Sequence, residues 1–112
     1  MIILEESILN TIKSMLGIDS GYEPYTQDLL VHINSAIFTL AQVSPRHFNV
    51  LTVQSEDDTW GELLISESAL PFAKQYVYYK VRLAFDPPDN SSLAQAYKEA
   101  AEELEWRISV SE

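Results

Sequence analysis

The segment Tyr76-Val77-Tyr78-Tyr79-Lys80-Val81-Arg82-Leu83-Ala84-Phe85-Asp86-Pro87-Pro88 decides how the chain is read. Phe72, Tyr76, Tyr79 and Leu83 recur at spacings of four, three and four, which makes one apolar stripe of a helix. Val77, Val81 and Phe85 make a second stripe about a third of a turn away. A helix in a small soluble monomer normally buries one stripe, so two predict cover from two sides: by its own domain and by something else. Asp86-Pro87-Pro88 stops the helix, because proline disfavours helical backbone in the residue before it and has no N–H to donate. The pattern points to assembly rather than to catalysis.

Outward from this helix, read over Ala69 to Phe85, the rest of the chain is also helical. A first helix is expected from Glu5 to Leu16, with Glu5 and Glu6 at its positive end and Gly17 as a left-handed stop. A second runs from about Thr26, its expected N-cap, to Gln42 and ends before Ser44-Pro45. A last helix spans Ser91 to Ile108, with Ser92 and Gln95 read as a capping box. Its expected buried stripe is Leu93, Tyr97, Ala100, Leu104 and Ile108, and Glu99, Glu102, Glu103 and Glu105 cover the rest. Between the second helix and the tyrosine-rich one lies an irregular stretch, residues 46–66. It holds a short extended piece at Val50 to Val53, an acidic loop, and one helical turn opened by the capping box Thr59-Trp60-Gly61-Glu62. A loop of this length in a small domain is either functional or disordered. The fold class is all-α: a small bundle of four to five helices with one long irregular loop, forming a single domain over residues 1–112.

Composition narrows the function classes. Hydrophobic residues make up 46% of the 112 and aromatics 11%, enough for one core. The net charge is −10, from 17 acidic and 7 basic residues, which opposes a grip on nucleic acid or on anionic membranes. It suits a conduit through which DNA slides, since an acidic wall repels phosphate. The absence of cysteine excludes disulfides, thiolate metal sites and a cysteine nucleophile. Met1-Ile2-Ile3-Leu4-Glu5-Glu6 lacks a basic leader and a long apolar run, so the chain reads as soluble and made in the cytoplasm.

No catalytic, metal or cofactor site emerges. Glu99, Glu102 and Glu103 invite comparison with helical magnesium-dependent nucleotide pyrophosphohydrolases, but the second helix offers only Asp28 as a matching carboxylate. His32 lacks a second histidine at helical spacing, and His47 is read as an exposed loop residue. Three of the seven basic residues, Lys74, Lys80 and Arg82, lie on the tyrosine-rich helix. They either pair with an acidic neighbouring subunit or snorkel to solvent. Trp60 and Trp106 are core or interface anchors, and Trp60, bordering the irregular loop, is the better interface candidate. Tyr78, between the two apolar stripes, is another.

The run from Tyr76 to Pro88 resembles a signature of small head–tail connector proteins of tailed bacteriophages. The close of the last helix is similar to theirs, in Tyr97-Lys98-Glu99 and from Glu103 to Ile108; so are His32-Ile33-Asn34-Ser35 and Thr59-Trp60. The likeness covers nearly the whole chain in order, but Ile65 to Leu70 matches no pattern. The resemblance implies a non-enzymatic virion protein of the head–tail joint, present in host cytoplasm during assembly. It implies a homo-oligomeric ring of about twelve subunits beneath the portal, in which each subunit offers two different faces. That ring extends the DNA channel without binding DNA specifically and meets a downstream joint or tail protein. On this reading Trp60, Tyr78, Lys80 and Arg82 are subunit-interface candidates. Glu56, Asp57 and Asp58 are channel or partner-loop candidates, and the tail from Ser109 to Glu112 docks on the portal or frays. The rival readings are a cytosolic helical interaction module and, below it, the magnesium-dependent hydrolase.

Overall fold

The computed structural model describes residues 5–110. Met1 to Leu4, on which the leader reading rests, and the last two residues of the proposed docking tail lie outside that range. Five helices carry the fold: α1 (Ile8–Met15), α2 (Thr26–Val43), α3 (Trp60–Leu63), α4 (Leu70–Phe85) and α5 (Ser91–Ser109). A 3₁₀ turn, Glu67–Ala69, fills part of the unmatched stretch and leads directly into α4. The described residues contain no strand, only two isolated bridges, Ser7 with Thr59 and Phe48 with Leu64. The all-α reading holds.

The helix ends show which local signals won. Ser7 caps α1, its Oγ accepting the Asn10 N–H at 3.2 Å, so Glu5 and Glu6 precede the helix rather than form its first turn. Gly17 is the left-handed stop, at φ 78°. Tyr25, not Thr26, occupies the N-cap of α2, and the Thr26 hydroxyl instead donates to Glu23 at 3.4 Å. At α5 the Ser92 and Gln95 box is replaced by Asn90, whose side-chain oxygen accepts the N–H groups of Ser92 and Leu93 at 2.8 and 3.1 Å. Asparagine is among the best caps, and at this position it satisfies two orphan donors at once.

The main correction concerns α4. It lies between α2 and α5, packed against both. Ala73, Tyr76, Val77 and Val81 are fully buried, while Phe72, Tyr79, Leu83 and Phe85 are half-buried. The chain's own helices therefore cover most of both stripes, leaving Phe72, Tyr79, Leu83 and Phe85 partly open. In a bundle with three long helices the middle one has two flanking neighbours, and two apolar stripes are what that position requires. Each fully buried large side chain contributes on the order of 1.5–3 kcal/mol.

The irregular stretch, residues 46–66, is fastened rather than loose. Asn34 on α2 holds Val53 twice, donating to its carbonyl at 3.0 Å and accepting its N–H at 2.7 Å. Phe48, Val53, Trp60, Leu63 and Leu64 are buried. The Asp58 carbonyl accepts the Ile8 N–H at 3.0 Å, and the Glu6 carbonyl accepts that of Trp60 at 3.2 Å, which ties the stretch to the start of α1. The helical turn after Thr59 is present, with the Glu62 carboxylate accepting the Thr59 N–H at 2.9 Å. His47 is buried, contrary to expectation, and its Nδ1 shares a hydrogen bond with the Ser44 hydroxyl.

Candidate interaction surface

The three α4 candidates do not form one patch. Tyr78 and Arg82, one turn apart, face α5: an Arg82 guanidinium nitrogen donates to the Tyr78 hydroxyl at 3.2 Å. The guanidinium carbon lies 5.9 Å from the Tyr97 ring centroid, and Tyr78, Tyr79 and Tyr97 stack with centroids 5.1–6.3 Å apart. Asp86 completes the cluster 3.8 Å from the Arg82 Nε. Both side chains are half-buried and engaged within the chain. Lys80, about 200° around the helix from each of them, is exposed on the opposite flank. There it rims a groove of about 330 Å³ between α2 and α4, lined also by His32, Ser35, Ala36, Leu83 and Ala84.

Lys74, the third cation of α4, pairs with Glu6 at 2.7 Å. That bond, with a further one from the Thr11 hydroxyl, holds the Glu6 carboxyl below its ordinary range against the opposing effect of partial burial. On the α5 side the buried Tyr76 hydroxyl donates to Glu105 at 2.8 Å. Burial first, and then the Glu105 carboxylate, raise its pKa well above the ordinary tyrosine value. Glu105 is thus half-buried and committed, whereas Glu99, Glu102 and Glu103 are exposed.

The two tryptophans, both read as core or interface anchors, differ: one is in the core and one is exposed. Trp60 is 0% exposed, and its indole N–H donates to the Thr11 hydroxyl oxygen at 3.0 Å. A ring sealed in one subunit presents nothing to another, so Trp60 leaves the interface candidates. Trp106 is 65% exposed on the outward face of α5, beside Glu102 and Ser109 and close to Val43 of α2. Val110, one turn on, is also exposed, as are Val31 and Phe38 on the outer face of α2. The sequence held a signal for Trp106: it falls off the line Tyr97, Leu104, Ile108 and sits among glutamates. Leu93, expected in that buried line, is exposed at the helix start, and Ala101 takes a buried place instead.

The acidic trio divides as well. Glu56 and Asp57 are exposed, with Glu56 within 3.4 Å of the Asn10 amide. Asp58 turns back on its own loop, accepting the N–H groups of Gln54 and Ser55 at 2.8 and 3.3 Å. Among the described residues no group of three or more His, Asp or Glu side chains is placed to hold a metal ion, and no helix is long and apolar enough to cross a membrane. What the surface offers is exposed large apolar side chains, on α2, on α5 and at Val50 and Ile65 of the irregular stretch, with carboxylates around those of α5. These are means for binding protein.

Residues 8–112, from the start of α1 through α5, match the family model described as phage connector protein. The chain belongs to the phage connector protein family. No curated protein and no solved structure matches it. As a phage connector it has a structural, joining role, and the resemblance carried by Tyr76 to Pro88 is upheld. In this connector that segment supplies the centre of the subunit, and the exposed apolar groups lie around it, on the flanking helices and in the irregular stretch.

Proposed function

We propose that this connector is a virion protein that assembles into a homo-oligomeric adaptor ring between portal and tail. The ring extends the DNA channel and completes the filled head. Family membership supports the setting. The observation that carries the ring is that large apolar side chains stay exposed on two separate helices, Val31 and Phe38 on α2 and Trp106 and Val110 on α5. A ring needs two different adhesive faces per subunit, because its interface joins unlike surfaces. Lys80 is the α4 residue best placed to reach a neighbour. Tyr78 and Arg82 contribute at most the rim of the Tyr97 cluster. Glu56 and Asp57 face a partner or the channel, where a negative wall lets DNA slide.

Mixing the chain with the portal of the same virus and imaging the product by electron microscopy tests this. A closed ring of copies on the portal is the expected result. A chain that stays monomeric and ignores the portal contradicts the proposal and favours a free interaction module. Saturable heat on titration with magnesium and a nucleotide favours the hydrolase.

A further inference from the structure

We infer that the contact between neighbouring copies is Trp106 of one subunit seated in the α2–α4 groove of the next, with Lys80 at the groove rim meeting Glu102. The inference rests on the ring proposed above and names its interface. Copies that each carry a net charge of −10 repel one another, so their contact must bring a cation to the acidic surface. Few cations are free to do this. Lys13 is buried and donates to the carbonyls of Ser20 and Tyr22. Lys74, Arg82 and Arg107 are paired with Glu6, Asp86 and Glu103, and Arg46 is engaged by an interaction of its own. Lys80 and Lys98 are the exposed lysines without an ion pair among the described residues, and Lys80 borders the α2–α4 groove.

The knob has the complementary character. Trp106 is the most exposed aromatic side chain among the described residues, and Glu102 stands one turn before it on the same face of α5. The groove, at about 330 Å³, is walled by Ala36, Leu83 and Ala84 with polar His32 and Ser35. It offers apolar surface for the ring and a polar edge for the indole N–H. An aromatic anchor entering a pocket beside a charge pair is the usual make-up of a binding hot spot. Knob and groove are different surfaces, so the contact repeats head to tail rather than closing as a symmetric pair.

The chain has no cysteine, so Ser35→Cys in the groove and Ser109→Cys beside Trp106 give a variant with two thiols only. Treating the portal-bound assembly with a short bis-maleimide should give a ladder of linked copies. Adding Trp106→Ala, at an exposed site that leaves the helical circular dichroism intact, should remove the ladder. Lys80→Glu should cut its yield about tenfold, and Glu102→Lys in the same chain should restore it. Linked dimers that go no further, a ladder indifferent to Trp106→Ala, or Ser109→Cys linking to the portal instead would overturn the inference. A ring that forms on the portal yet yields no ladder sinks this interface alone. If no ring forms on the portal, the proposed function fails and this interface with it.

Discussion

α4 and α5 both set aromatic residues among charged ones, lysine and arginine on α4 and mostly glutamate on α5, yet they end in opposite situations. α4 is covered on two sides and most of its apolar area is buried within the subunit, with Leu83 left at the edge of the α2–α4 groove. On α5 only Ala101 and Ile108 are fully buried, and its largest side chain, Trp106, stands in solvent. The density of apolar residues along a helix therefore marks how many neighbours it has, not which of them are foreign. Surplus adhesive surface is found on the peripheral helices, where an apolar group lies off the buried line, and at Val50 and Ile65 of the irregular stretch. The two tryptophans repeat the contrast: the one next to an irregular loop is sealed, and the one on a regular helix is open.

The comparison breaks most visibly if the tryptophans behave alike. Trp60→Ala should cost about 3–5 kcal/mol, from lost burial and an unfilled cavity. Trp106→Ala should stay within about 0.5 kcal/mol in the free subunit. Urea unfolding of the two variants checks both values, and a reversed order would put the core in the wrong place. Asn34→Ala tests whether the irregular stretch belongs to the sealed half. It leaves the backbone N–H and C=O of Val53 without their partner and should cost about 2 kcal/mol, with faster amide exchange at Val53.

Smaller effects sharpen the picture around α4. Tyr76→Phe should cost about 1 kcal/mol by removing the hydrogen bond to Glu105. The raised pKa of Tyr76 gives the sign of its pH dependence. The neutral phenol's contribution is whole below the ordinary tyrosine value of 10.0 and is lost as pH rises beyond it, because the unfolded chain ionises first. Urea midpoints measured across that pH should fall less steeply in Tyr76→Phe than in the parent chain. The smallest effect is at the Glu6–Lys74 pair. Because the Glu6 pKa is lowered in the fold, its contribution is complete above the ordinary 4.5 and disappears as the pH drops below that value. A half-exposed pair is worth less than about 1 kcal/mol, and Glu6→Gln should remove that part of the acid limb of a stability–pH curve.

The fold was largely legible because helical periodicity and stops are local. The Asp86-Pro87-Pro88 stop, Gly17 and the turn after Thr59 act within a few residues, and the structure keeps all three. Caps were less legible, since Asn90 and Ser92 are rival caps two residues apart and only the loop's path decides where the helix starts. The interface was the least legible part. Whether the stripe through Tyr76 and Tyr79 faces α5 or another subunit depends on where α5 folds back, and no local pattern encodes that. His47 was misread for the same reason: its partner, Ser44, is near in sequence, but its burial comes from the packing of the whole 46–66 stretch.

The central claim is that the subunit keeps its sealed anchor at Trp60 and offers its adhesive one at Trp106. Trp60→Phe and Trp106→Phe each leave a single tryptophan, whose fluorescence quenching by acrylamide can be followed before and after addition of portal. Trp106 should be readily quenched in the free chain and become protected in the assembly, while Trp60 stays protected throughout. Trp106 remaining equally open to quencher in a fully assembled ring would contradict the account.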